Sequence, residues 1–247
     1  MQVADIELQS YYPDVTGIIQ DTTHLFDAVA HFREIMMMYD CAAREIRTKF
    51  EVLNSDFSVR YNRNPIEVIK TRVKQPVSLF RKIKERGLPL DEDTLMHGIH
   101  DIAGVRVVCS FIDDIYRLAR LIAGQDDITI VEIKDYIQHP KPNGYRSLHL
   151  IVQVPVFFAD QTRDMTVEVQ IRTMAMDFWA SLDHELHYKK HADRNVNLED
   201  VEKKLAQSAE IIAETDRRMQ EIRSEIYGEN GSSSDLRKDL LKDLKDL

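Results

Sequence analysis

Two cysteines, Cys41 and Cys109, are too few for a disulfide framework, and their neighbours ("YDCAAR" and "VVCSFI") look like a helix face and a strand core. Both are expected to be structural thiols, which disfavours a cysteine-based zinc site. No stretch reaches the roughly 18 uncharged apolar residues of a membrane span. The opening "MQVADIELQS" lacks the basic start and apolar centre of a secretory signal, so a cytoplasmic protein without membrane contact is expected. Neither GxxxxGK(S/T) nor GxGxxG occurs, which disfavours the phosphate-loop and dinucleotide-binding classes. Internal repeats are absent as well. So is an excess of positive charge: the net charge of −9 argues against general affinity for nucleic acid.

The charge is unevenly spread. Nine Lys/Arg and only two Glu lie between Arg60 and Arg86, a basic island that suggests a local anionic ligand, phosphate first among them, or else a solvated amphipathic surface. Around it, apolar residues at three- and four-residue steps predict a long amphipathic helix over 22–53 and another over 198–227. "IEVIKTRVK" alternates like a strand, and Pro76 then opens a helix that Gly87 stops. "DIAGVRVVCSF" reads as a buried strand, "IDDIYRLARLIAG" as a helix ending at Gly124. "ITIVEIKDY", "YRSLHLIVQVPVFF" and "MTVEVQIRT" supply three more strands, the last running into a helix. The expected fold is α+β, a mixed sheet of about five strands flanked by helices, with a catalytic core over about 60–192 inside one domain spanning 1–227. "GENGSSS" and the charged "DLRKDLLKDLKDL" predict a flexible tail over 228–247.

Period-two alternation in "VEVQIR" puts Glu168, Gln170 and Arg172 on one strand face and Val167, Val169 and Ile171 on the other. A carboxylate, an amide and a guanidinium are costly to bury without partners, so they line a cleft or face solvent. Asp101 is the natural second carboxylate; two such groups at strand ends suit magnesium, although a turn or capping aspartate is the plainer alternative. Asp101 and Arg106 are five apart, so either Asp101 precedes its strand or Gly104 marks a bulge. Arg72 and Lys74 share a strand face, Ser78 sits in the first turn of the next helix, and Arg81 and Lys82 follow on the same helical side; five donors thus converge on a helix N-terminus. "HGIHDI" offers a His100-Asp101 pair and "DHELHYKKH" offers His184, His187 and His191. Neither completes a convincing metal site.

"RVKQPVSLFRKI", "HDIAGVRVVCSF", "KPNGYRSLHL" and "VEVQIRTMAMDFWASLDHELHYKK", in this order and spacing, resemble the synthetase domain of the RelA/SpoT family, and in particular its small stand-alone, RelQ-like alarmone synthetases. The resemblance covers about residues 24–227. It implies a nucleotidyltransferase-like fold and a GTP pyrophosphokinase that transfers the β,γ-pyrophosphate of ATP to the 3′-hydroxyl of GTP or GDP, giving pppGpp or ppGpp. By the same resemblance Arg72, Lys74, Ser78, Lys82 and Arg106 contact ATP, and Asp101 and Glu168 hold Mg2+ and catalyse. Lys141, Asn143, Tyr145, Arg146 and His149 receive the guanine nucleotide, with Tyr145 stacked on the base. Gln170, Arg172, His184 and Lys189 line the same cleft. A homotetramer is implied. The first helix offers Arg44, Arg47 and Lys49 toward the subgroup's product-binding cleft, but "VIKT" before Arg72 does not reproduce that pattern, so activation by product is not expected. No counterpart of the family's hydrolase domain is seen, so synthesis without degradation is expected. The alternatives are a tRNA 3′-end pyrophosphotransferase on the same fold, or an inactive nucleotide- or RNA-binding regulator, with single-stranded RNA open as a partner.

Overall fold

The computed structural model describes residues 15–190, 198–227 and 233–243, with side chains over 26–183, 185–186, 199–227 and 235–242. The chain divides into a short unit, Met1–Met38, and a main unit, Tyr39–Leu247. A long helix, α1 (Val15–Tyr61), outruns the expected 22–53 at both ends. At its C-terminal end Phe57 extends the apolar series of Ile46, Phe50 and Leu53 by one more turn and is buried. Asn62, with φ 48°, then turns the chain in the left-handed region that asparagine tolerates. The side chain of Asn54 accepts the Ile66 amide at 3.2 Å, tying the helix to the first strand.

Five strands follow: β1 (Ile66–Val73), β2 (Ala103–Cys109), β3 (Thr129–Asp135), β4 (Leu148–Phe157) and β5 (Thr162–Thr173). They order as β1-β2-β5-β4-β3, with β2 and β5 parallel and the other pairs antiparallel. Between them lie α2 (Pro76–Glu85) and α3 (Ile112–Ala123); α4 (Met174–Lys190), α5 (Leu198–Tyr227) and α6 (Ser233–Asp243) come after. Proline opens α2 as expected, and the Gly87 amide, at φ 64°, closes it on the Lys84 carbonyl. A π-helical turn at Thr94–Gly98 had no sequence signal.

Alternation gives the sheet two unlike faces. Val105, Val107, Leu148, Leu150, Val167, Val169 and Ile171 are all buried on one side, with Ile115, Leu118, Ala119 and Ile122 of α3 in the same core. That burial drives the fold, at roughly 1.5–3 kcal/mol per large apolar side chain. The α5 helix is locked to the start of α3 by the ion pair of Arg223 with the buried Asp114, which also takes Arg63 from the turn before β1, and by the hydrogen bonds between Gln220 and Asp113. The expected flexible tail is, over Ser233–Asp243, a helix whose Leu240 is 1% exposed. Leucines at helical spacing found a partner in α3, against which α6 packs.

Candidate active site

The other sheet face carries the polar residues, and strand register lines them up. Arg72 lies opposite Gly104 and Gly104 opposite Glu168; one step on, Lys70, Arg106, Gln170 and His149 form a second row across β1, β2, β5 and β4. Asp101 precedes β2, which resolves its five-residue offset from Arg106; the β1–β2 and β2–β5 ladders run without a bulge at Gly104. The Arg72 side chain passes beside this glycine, its Nε 3.4 Å from where a Cβ would stand. A cleft of about 210 Å³ opens between Arg72 and Arg106, with Gly104 and Gln170 at its floor.

At one end of this face, Lys74 and Lys82 both grip Oδ2 of Asp101, at 2.7 and 2.6 Å. Burial alone would raise the Asp101 carboxyl, but the two lysines outweigh it and hold it below the usual range, so it is ionised at neutral pH. Its Oδ1 is buried without a hydrogen-bond partner. Ser78 sits half-buried in the first turn of α2, four residues before Lys82, and no side chain caps that helix, whose leading amides are thus left for an anion.

At the centre, five side chains close a ring of hydrogen bonds. Arg172 donates to the Tyr145 hydroxyl at 2.8 Å and to Gln170 Oε1 at 2.7 Å. Gln170 Nε2 donates to Glu168 Oε2 at 2.8 Å. The Tyr145 hydroxyl lies 2.8 Å from His149 Nε2, and His149 Nδ1 lies 3.2 Å from Glu168 Oε1. The directions are forced. Arg172 can only donate, so the Tyr145 oxygen accepts and its own O–H goes to His149 Nε2; the imidazole proton is then on Nδ1, aimed at a carboxylate that only accepts. Both branches run from a guanidinium to a carboxylate.

The titration directions agree with this wiring. Burial pushes the His149 pKa down, against the pull of Glu168, so the imidazole is neutral at neutral pH. Burial would raise Glu168, but the bonds from His149 and Gln170 prevail and keep it ionised, with Asp101 opposing as a nearby negative charge. Because His149 is neutral there, its effect on Glu168 is that of an N–H donor rather than a full charge. Arg172, 2% exposed, has its guanidinium pKa lowered by burial and finds its carboxylate in Asp177, which also takes Arg106.

The loop before β4 carries the remaining expected residues. Asn143 accepts the Tyr145 amide at 3.2 Å, a turn role, and donates to Asp183. Lys141 Nζ sits 4.7 Å from the centroid of Tyr136 and 4.9 Å from that of Tyr145. The Tyr145 ring also packs on the Trp179, Leu205 and Ala209 cluster, so it is half-buried and bonded rather than freely presented. Arg146 is turned to α5, pairing with Glu210 at 2.7 Å and reaching the Ala209 carbonyl. Of the candidates, Arg72, Lys74, Lys82, Asp101, Arg106, His149, Glu168, Gln170 and Arg172 thus gather on one face, whereas Arg146 braces a helix. His184 and Lys189, with His187 and His191, lie outside the described side chains. In α1, Arg44 pairs with Asp40, Arg47 with Glu51 and Lys49 with Asp127.

Three contributors escaped the sequence reasoning. Tyr136 edges against Tyr145 and His149; Asp177 serves two arginines; Asp135 caps the start of the loop through the Ile137 and Gln138 amides. Only Asp135 had a signal, an aspartate at the junction of a strand and a polar loop.

Comparisons with known proteins point one way. The family model described as a region found in RelA / SpoT proteins matches residues 71–193. The chain is 40% identical over 207 residues to the GTP pyrophosphokinase YwaC of Bacillus subtilis, covering 83% of this chain and 97% of that one. The crystal structure of small alarmone synthetase 2 from Bacillus subtilis superposes with a TM-score of 0.70 at 41% identity, over 78% of this chain and 98% of the other. Small alarmone synthetase 1 from the same organism, bound to its product pppGpp, gives 0.71 at 32% identity over 79% and 98%.

Proposed function

Since the chain belongs to the RelA/SpoT family, we propose that it is a small alarmone synthetase that transfers the β,γ-pyrophosphate of ATP to the 3′-hydroxyl of GTP or GDP. The observation that carries this reading at the site is the nearness of two ionised carboxylates, Asp101 held by Lys74 and Lys82 and Glu168 in the hydrogen-bonded ring, close enough for their charges to act on each other and beside a cleft lined by Arg72 and Arg106.

Arg72 and Arg106 flank the adenine of ATP, and Lys74, Lys82 and the α2 N-terminus by Ser78 hold its phosphates. Lys141 and Tyr145 receive the guanine nucleotide; the Tyr145 ring face under Lys141 is the one offered to the base, at roughly 1–3 kcal/mol for such stacking. The acceptor oxygen forms a bond to the β-phosphorus, the bridge to the α-phosphate breaks, and AMP leaves with the electron pair. Such a transfer asks for positioning and cations more than covalent help. Glu168, ionised and locked by His149 and Gln170, takes the hydroxyl proton.

The residues fit a divalent cation: the Asp101 Oδ1 atom is buried and unbonded, and the charges of Asp101 and Glu168 act on each other. No group of three or more His, Cys, Asp or Glu gathers among the described residues. Two carboxylates are the donor set that Mg2+ favours, its other positions going to water and substrate phosphates. Bound there, Mg2+ would neutralise charge developing on the phosphoryl oxygens.

The reading carries two corollaries. A homotetramer is supported by the exposed Ile211, Met219, Ile222 and Ile226 along α5, and sedimentation reporting a monomer contradicts it. A cytoplasmic location fits a chain in which, among the described residues, no helix is long and apolar enough to cross a membrane; fractionation checks it. The activity is tested by incubating the purified protein with ATP, Mg2+ and GTP or GDP, then separating the products. AMP and a 3′-pyrophosphorylated guanine nucleotide in equal amounts are expected; ADP, free pyrophosphate or no turnover sinks the reading.

A further inference from the structure

The C-terminal helix touches the base of the acceptor loop at one carboxylate. Asp135 is the last residue of β3. Its Oδ1 accepts the amides of Ile137 and Gln138, each at 3.1 Å, and so shapes the first turn of the loop. Its Oδ2 accepts Nε of Arg237, on α6, at 2.8 Å, and the Tyr116 hydroxyl of α3 reaches both oxygens at 3.3 and 3.2 Å. Asp135 is 12% exposed and Arg237 29%, so this pair is shielded enough for its geometry to matter. The residue next along, Tyr136, sets its ring edge-on to His149 at 5.2 Å and to Tyr145 at 6.1 Å and lies under Lys141. The helix that supplies Arg237 is itself seated on α3, through the buried Leu240 and the Arg120–Asp239 pair.

We propose that α6 is a strap whose Arg237, acting through Asp135, holds the loop of Tyr136, Lys141 and Tyr145 in its guanine-nucleotide-binding shape. Arg237 and Asp135 are positioning residues, remote from the reacting atoms. A carboxylate with two backbone amides on one oxygen can rotate about its own bond; the guanidinium on the second oxygen, together with the tyrosine, removes that freedom. The ATP side of the site, built on β1, β2 and α2, has no such connection to α6 among the described residues. The inference rests on the reading of this loop as the acceptor site.

The test uses the full chain with Arg237→Ala, Arg237→Lys and Leu240→Asp, the last to unseat the helix. Initial rates are measured against GDP and ATP separately, with hydrogen exchange at the Ile137 and Gln138 amides. Losing one charge-assisted bond should raise the GDP KM roughly three- to tenfold in Arg237→Ala and Leu240→Asp. The ATP KM stays put, exchange at both amides quickens, and Arg237→Lys recovers part of the loss. Unchanged exchange overturns the strap itself, and an equal rise in both KM values reduces it to general destabilisation. Faster exchange with an unaltered GDP KM overturns the strap's link to the acceptor, whereas the assignment of the loop falls only if Tyr145→Ala also leaves the GDP KM unaltered.

Discussion

Tyr145 illustrates how a residue type can be legible while its work is not. The sequence placed an aromatic ring beside cations ahead of a strand, and the family resemblance implied base stacking for it. The hydroxyl's place between Arg172 and His149 could not be foreseen, because it depends on β4 and β5 pairing so that His149 stands opposite Gln170. Tyr145→Phe keeps the ring and strands two buried partners, at a cost of roughly 1–3 kcal/mol. Urea unfolding should register that loss, and wild-type stability in the variant contradicts a bonded ring. The same wiring predicts a pH response. Asp101, Glu168 and His149 all have folded pKa values below their ordinary ones, so the unfolded chain binds protons that the folded chain refuses. Stability is therefore full above the ordinary values and declines as pH falls toward the folded ones. His149, with an ordinary value of 6.5, gives way first. The melting temperature should drop between about pH 7 and pH 5, and His149→Gln should flatten that slope; an identical slope removes the histidine from the account.

Among the elements, the strands and most helices were legible because their signals are local: alternation for β1, β2 and β5, and proline and glycine punctuation for α2. Besides the π-helical turn, two helical stretches were not. The α1 helix extends past Leu53 because Phe57 continues its buried stripe through a polar stretch, and α6 orders because α3 offers Leu240 a surface. Only tertiary contact supplies either. Helix α5 has a comparable hidden role as a buttress of the loop before β4, the proposed acceptor site. Gly144 has φ 89°, and a Cβ there would sit 2.4 Å from that of Ala209. Gly144→Ala must therefore move the loop off α5 or strain it, at about 1–3 kcal/mol. The expected result is a GDP KM raised severalfold with the ATP KM held; equal KM values for the variant and wild type would deny the loop its acceptor role.

At the scale of the whole molecule, the division of labour follows from the sheet. One face is apolar and makes the fold; the other aligns cations, carboxylates and a hydrogen-bonded ring. Arg72, Lys74 and Glu168 were legible from strand parity, Asp101 was read as the second carboxylate despite its offset, and Arg106 was assigned by the family resemblance. Arg146 came out differently, since its neighbour α5, some 60 residues away in sequence, captures it. The acidic net charge is compatible with a phosphate site because a basic island between Arg60 and Arg86 supplies Arg72, Lys74 and Lys82 locally. The central claim is that Glu168, ionised opposite Asp101, is indispensable to the transfer. The decisive measurement is the rate of AMP release from ATP, in the presence of GDP and Mg2+, by the full-length Glu168→Gln variant. The account predicts a fall of about 10²-fold or more with the fold retained by circular dichroism; a rate equal to that of the wild type would contradict it.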